Sequence, residues 1–348
     1  MTVGYVVRRL LSGLVLLFAV TLVTFAIYRL IPGNPGCVVL PCGSGATTTH
    51  AQLERAAHRI GADRPVTTQY ATFVWQILRH GSFGPSWRGL SIDKSIRASL
   101  PPTISVLAGG FFLLLLLAIP LAMLSALHAR QAIDRAVLAF SLVGIALHPF
   151  LLGVLLEHAF VFHLHLFPAS RYCHIAHLPP VPVPPNTPPQ YVVQPCGGVV
   201  SWAHHMVLPW LTFALFFLPL YTRMIRTRML ETLDDQHVVT ARAKGASELR
   251  VLRSHVLRPA LLPLITMIGL DLGAALTAVI YIDTIYKLGG FGSLAVGALA
   301  SPTGTYDLPF IAAIFFVIAV AIVVLNLVVD LCYALLDPRV RLGRGAAA

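Results

Sequence analysis

The chain has 348 residues, 57% of them hydrophobic and only 11% charged, with a formal net charge of +11 at neutral pH. Soluble domains carry about a quarter charged residues, so this composition excludes a soluble enzyme and points to a polytopic membrane protein. The basic residues fall in short clusters beside apolar runs, which is the pattern of membrane loops rather than of a nucleic-acid-binding face, and no nucleic-acid partner is expected.

Residues 1–30 hold a short N-terminus and a first span. The uncharged run Leu10–Tyr28 follows Arg8 and Arg9, and no small-x-small cleavage site comes close behind it, so it reads as a retained span. Residues 31–101 form a sizeable external region in which the pattern predicts amphipathic helices at 51–60 and 67–78. Spans two and three occupy 102–160, the first of them carrying Pro120 and the second Pro149. Residues 161–204 form an external loop containing PPVPVPPNTPPQ, which favours stiff polyproline II and excludes helix. Span four is placed at 205–222, a polar cytoplasmic loop at 223–258 and span five at 259–282. An external loop at 283–307, span six at 308–336 and a cytoplasmic tail at 337–348 complete the chain. About 20 apolar residues cross the hydrocarbon core as a helix, and lipid leaves a single span no other way to satisfy its backbone. The expected fold is therefore all-α with six transmembrane helices.

Orientation follows from the short loops. Arg8, Arg9, Arg130, Arg135, the basic residues of 223–258, and Arg339, Arg341 and Arg344 fall on one side; the loops 161–204 and 283–307 hold only Arg171 and Lys287. Both termini are expected in the cytoplasm. Cys37, Cys42, Cys173 and Cys196 then all lie outside, where disulfides persist. The simplest pairing is Cys37–Cys42 and Cys173–Cys196; four free thiols are the other reading. His163, His165, His174, His177, His204 and His205 crowd the proline-rich loop. Their spacing fits no standard metal site, and no metal is assigned; a docking surface for a binding protein and a stabilised lid are the alternatives.

No Gly-x-x-x-x-Gly-Lys-Ser/Thr loop occurs, so no catalytic or cofactor-binding residues are assigned and no ATP hydrolysis is expected in this chain. The polar island 223–258 carries eight Arg/Lys against four Asp/Glu between apolar flanks. At its centre Thr240, Ala241, Arg242, Ala243, Lys244 and Gly245 suit a short helix that lies close against another protein. Ala241 and Ala243 keep its surface low, and Gly245 can adopt the positive φ that ends it.

This segment, with Val-Leu-Arg-x-x-His-x-Leu-Arg after it, resembles the "EAA" loop of ABC importer permeases, and more closely that of the dipeptide/oligopeptide/nickel family. Val239 stands where that motif's leading acid falls. Ile31-Pro32-Gly33-Asn34-Pro35 resembles the family's "LPGDP", and Ile60 through Tyr70 its "LGLDxPxxxQY". Gly81 through Ser86 resembles "GDLGxS", Ile96 through Thr103 "IxxxLPxT", and Leu335 through Arg341 the family's terminal segment. The resemblance implies a B-type permease of the type I importer fold in the inner membrane. Its implied partners are a similar C-type permease, two ATP-binding subunits that hold ATP and Mg, an extracytoplasmic peptide-binding protein, and membrane lipid. Residues Thr240–Gly245 would couple the chain to the ATPases. The glycine-rich segment Leu288–Gly292 resembles the family's external segment between spans five and six.

Within spans, ionisable residues are functional candidates by default. Asp271 either walls the translocation path, where its carboxylate would meet a peptide amine, or bonds a neighbouring helix across Gly269 and Gly273. His148, beside Pro149, is the second path candidate. Nickel import by the same family is the main rival, favoured by the histidines. An ATP-independent secondary transporter, with Asp271 and Glu157 as ion sites, is a rival of another class.

Overall fold

A computed structural model describes residues 3–30, 35–40, 42, 47–168, 172–174, 194–299 and 306–336. The exit motif at 31–34, most of the proline-rich stretch including His177, and the tail from Asp337 lie outside these residues. Thirteen α-helical elements are seen among them: α1 Val3–Leu30, α2 His50–Arg59, α3 Val66–His80, α4 Ile92–Leu127, α5 Ala132–Ala146, α6 Pro149–Glu157, α7 Val199–Leu233, α8 Gln236–Ala243, α9 Glu248–Val251, α10 Leu257–Ala260, α11 Leu262–Tyr286, α12 Phe291–Leu299 and α13 Leu308–Leu336. The described β-structure is one parallel pairing of Cys173–His174 (β1) with Gln194–Pro195 (β2), plus an isolated bridge between Pro85 and Ser91.

Among the described residues four helices are long and apolar enough to cross a membrane, within α4, α7, α11 and α13; Leu11–Ile27 and Pro149–His163 are shorter apolar segments. Hydroxyls inside these helices bond back to their own turns, as Thr21 Oγ1 to Leu17 O at 2.9 Å and Thr212 Oγ1 to Leu208 O at 2.8 Å, which removes a bare donor from an apolar medium. The expected third span is interrupted: α5 stops at Ala146, Leu147 and His148 are extended, and α6 starts at Pro149, whose missing N–H suits a first turn.

The chain forms two compact units, residues 1–103 with 289–324, and residues 104–288 with 325–348. In the first, α3 packs on α1 through Tyr70, which hydrogen-bonds Thr21 at 3.0 Å and sets its ring against Phe18 and Phe25. Buried Asp307 accepts the backbone N–H groups of Trp87 (3.1 Å) and Arg88 (3.3 Å). Thr103 Oγ1 accepts the N–H of Phe291 at 3.1 Å. The predicted helices at 51–60 and 67–78 correspond to α2 and α3. Cys37 and Cys42 are joined as a disulfide.

In the second unit, α4, α5, α7 and α11 surround a core of aromatic and small residues. A Cβ on Gly109 would fall 2.2 Å from Trp210, and one on Gly144 would fall 2.4 Å from Pro219, so these glycines set how closely α4 and α5 approach α7. Trp210 donates from Nε1 to Ser105 O at 2.8 Å; Phe111 meets Phe213 edge to face, while Phe217 is tilted against Phe213 and stacked on Phe111. The polar island is mostly helical: α7 runs on past its apolar part through Arg223, Arg226 and Arg228 to Leu233.

Candidate coupling site and translocation path

After α7 the chain turns at Asp234 and Asp235 and enters α8. Val238 anchors α8 by complete burial, over a floor made by the equally buried Val251, Leu252 and Val256. His237 reaches the carbonyl of His255 at 3.3 Å. Gly245 closes α8 with φ 80°, its N–H donating to Arg242 O at 2.9 Å, while Ala246 N donates to Ala241 O at 3.2 Å. Those bonds satisfy carbonyls that a helix end otherwise leaves bare. Apart from Gly245 and its chain neighbours, no atom of the described residues lies within 4 Å of where a Cβ on Gly245 would be, so the left-handed backbone rather than crowding calls for glycine here.

Arg242 closes a bidentate pair with Glu248 at 2.9 and 3.1 Å, tying α8 to α9 across the Gly245 turn. The outward side offers exposed Val239 and Leu249 beside Thr240, Arg242, Ala243 and Lys244. The six residues singled out in sequence thus form one feature: Thr240–Ala243 are the second half of α8, Lys244 caps it and Gly245 ends it. Chemically this is a low surface with aliphatic and cationic groups, suited to docking.

The α4–α5 turn is locked to α7. Asp134 accepts Arg226 Nε at 2.5 Å and Nη2 at 2.6 Å, Ser125 Oγ at 2.6 Å and the N–H of Arg130 at 2.7 Å. The guanidinium and these added donors hold the Asp134 carboxyl well below the usual carboxylate range despite its burial. Sequence reading passed over this pair. Its only trace there is an Asp among positive-inside arginines, which is indistinguishable from a solvated loop charge.

Asp271 lies half-buried in α11 and faces the hydroxyl of fully buried Tyr221 on α7. Asp271 Oδ2, the Tyr221 hydroxyl and Thr222 Oγ1 are buried without hydrogen-bond partners. Close helix packing uses Gly269, whose Cβ would meet Val329 at 2.7 Å, whereas Gly273 opens onto space. His148 lies elsewhere: its Nδ1 accepts the N–H of Phe150 at 3.2 Å and its ring sits against Tyr281, making it the cap of α6. The two path candidates do not converge on one site.

Cys173 and Cys196 are joined as a disulfide beside the β1–β2 pairing. Their sulfurs lie within 4.8 Å of a His205 ring nitrogen, but the two sulfurs are bonded to each other and His205 Nδ1 is 2.8 Å from Ser201 O.

Two family models match the chain. One, the binding-protein-dependent transport system inner membrane component, covers residues 118–342, and its N-terminal companion covers residues 2–87. Full-length relatives include the Probable D,D-dipeptide transport system permease protein DdpB of Escherichia coli, 32% identical over 99% of this chain and 100% of that protein. The Oligopeptide transport system permease protein AppB of Bacillus subtilis is 30% identical over 97% of this chain and 99% of its own length. The Probable peptide ABC transporter permease protein y4tP of Sinorhizobium fredii is 29% identical, with 97% and 99% covered.

Proposed function

Since the chain belongs to the family of binding-protein-dependent transport system inner membrane components, and so is a multi-pass permease subunit of an ABC importer in the cell membrane, we propose that it carries peptides. In this reading it forms half of the translocation path beside a second, C-type permease. Two ATP-binding subunits dock on α8 and an extracytoplasmic peptide-binding protein delivers the solute. Six spans with both termini cytoplasmic fit the loop charges. The kinship with peptide, D,D-dipeptide and oligopeptide permeases favours di- and oligopeptides over nickel.

The observation that carries the coupling role is the contrast within α8: Val238 is held in the core while its neighbour Val239, like Leu249 on α9, stays exposed. A helix gripped on one face transmits displacement. ATP-driven closure of the partners would shift α8, and α7 would carry that shift through Arg226 and Asp134 to the α4–α5 turn. ATP then favours whichever state its subunits bind better, and the path changes its exposure accordingly. Asp271, half-buried beside Tyr221, supplies the polar group that a passing ammonium would meet.

Gly245→Asp tests this in vesicles holding the co-expressed complex. Aspartate is among the residues that enter the left-handed region at least cost, and open space surrounds the site in this chain. The variant should therefore insert at parental levels, yet lose peptide uptake and peptide-stimulated ATP hydrolysis together. Undiminished uptake, or uptake without any ATPase subunit, would refute the reading and bring forward the lone carrier.

A further inference from the structure

The first unit contains a cavity of about 220 Å³ bounded by α1, α3, the Phe83–Trp87 loop and the start of α13. Its inner wall is aromatic, with Phe25 and Phe73 buried and Phe83 beside them. Its polar side carries Arg64 and Gln76, and Gln76 is held over Gly84, where a Cβ would stand 2.7 Å from its Oε1. Arg64 is exposed, and among the described residues no acid lies within ion-pair distance of it. Its neighbour Asp63 is engaged at 2.6 Å by His58. The cavity thus offers an aromatic wall and an exposed guanidinium that makes no ion pair among the described residues although Asp63 lies near it, which suits an anion with an apolar body.

Its depth follows from α3. Tyr70 touches Phe18, Thr21 and Phe25, which lie in the apolar segment Leu11–Ile27. The part of α3 around Tyr70 therefore runs beside the half of that segment nearer Leu30. Exposed Leu14, Phe18 and Leu22 on α1, and exposed Trp75 and Leu78 on α3, are the apolar surfaces such a depth presents to lipid. Arg79 sits over the Trp75 ring at 5.5 Å, a pairing at home where apolar chains meet charged headgroups.

We propose that this cavity binds one anionic phospholipid, its phosphate held by Arg64 and Gln76 and its upper acyl carbons laid against Phe25 and Phe73. The proposal rests on α1 being a membrane span and is independent of the solute carried. The test is native mass spectrometry of the full-length chain in its complex, released from phosphatidylcholine nanodiscs doped with phosphatidylglycerol. The parent retains one phosphatidylglycerol through graded delipidation. Arg64→Gln, a surface change, weakens retention about tenfold, the scale of one charged hydrogen bond, and Arg64→Lys recovers part of it. Gln76→Glu, which sets a second negative charge against the phosphate, weakens it as well. Free glycerol phosphate and a dipeptide leave retention unchanged. Equal retention by Arg64→Gln, or displacement by either soluble ligand, overturns the proposal.

Discussion

Asp134→Leu is the most informative perturbation of the contact between α7 and the α4–α5 turn. The Asp134 side chain is 3% exposed and that of Arg226 15%, so removing the carboxylate strands a guanidinium that water barely reaches. Breaking a buried pair from one side costs about 3–5 kcal/mol. The residual exposure of Arg226 places the loss near 3 kcal/mol, roughly a hundredfold in the folded ratio. Replacing both partners, as Asp134→Leu with Arg226→Met, removes the stranded charge and should return most of that loss. The assay is the denaturant midpoint of the purified complex, with membrane levels as a second readout. Acid titration adds a check of sign. A carboxyl lowered on folding stabilises fully above its unfolded value, 3.8 for the free group, and loses that contribution only as the pH falls through its folded value. The parent's midpoint should then be indifferent to Asp134 between neutral pH and about 5. If the double variant is as unstable as Asp134→Leu alone, a stranded charge is not the cause and the reasoning fails.

Three further outcomes follow. Gly109→Leu should sharply reduce folded protein, because even a Cβ there would stand 2.2 Å from Trp210; overpacking costs about 1–3 kcal/mol, and quantifying folded protein by size-exclusion checks it. Arg242→Met should shift the denaturant midpoint by less than about 1 kcal/mol, since its pair with Glu248 is exposed, while lowering peptide-stimulated ATPase activity. Cys173→Ser with Cys196→Ser should release a loop whose closure over 23 residues is worth about 3 kcal/mol, and faster cleavage by an added protease would register it.

Much of the architecture was legible because hydrocarbon admits so few solutions. Runs of apolar residues in 10–30, 102–127, 259–282 and 308–336 all correspond to helices, and Cys37–Cys42 and Cys173–Cys196 formed the simplest pairs. Helix ends in water were less legible. Span four reads as ending near 222, yet α7 continues to Leu233, where Arg228 pairs with Glu231 at 2.9 Å and Met229 is buried. Hydropathy registers lipid contact, whereas this stretch is held by protein contact. The third span reads as continuous through Pro149, yet Leu147 and His148 are extended and α6 starts afresh at Pro149. The short helix over Thr240–Ala243 was legible from its residue types, its coupling role is what the family resemblance implies, and Gly245 takes the positive φ expected of it. Asp134 and Arg226 were missed because a contact between residues 92 apart leaves no local pattern.

Asp307 has a consequence for synthesis. It binds the N–H groups of Trp87 and Arg88 across 220 and 219 positions of chain. At about 5–20 residues per second, the ribosome delivers Asp307 roughly 10–45 s after Trp87. Through that interval Asp93 can hold the N–H of Phe83 at the start of the turn, but the N–H groups of Trp87 and Arg88 at its end lack their carboxylate. The N-terminal unit is thus the first begun and among the last finished, and nascent chains truncated before α13 should expose that turn to protease while the α4–α7 core behind them is already protected.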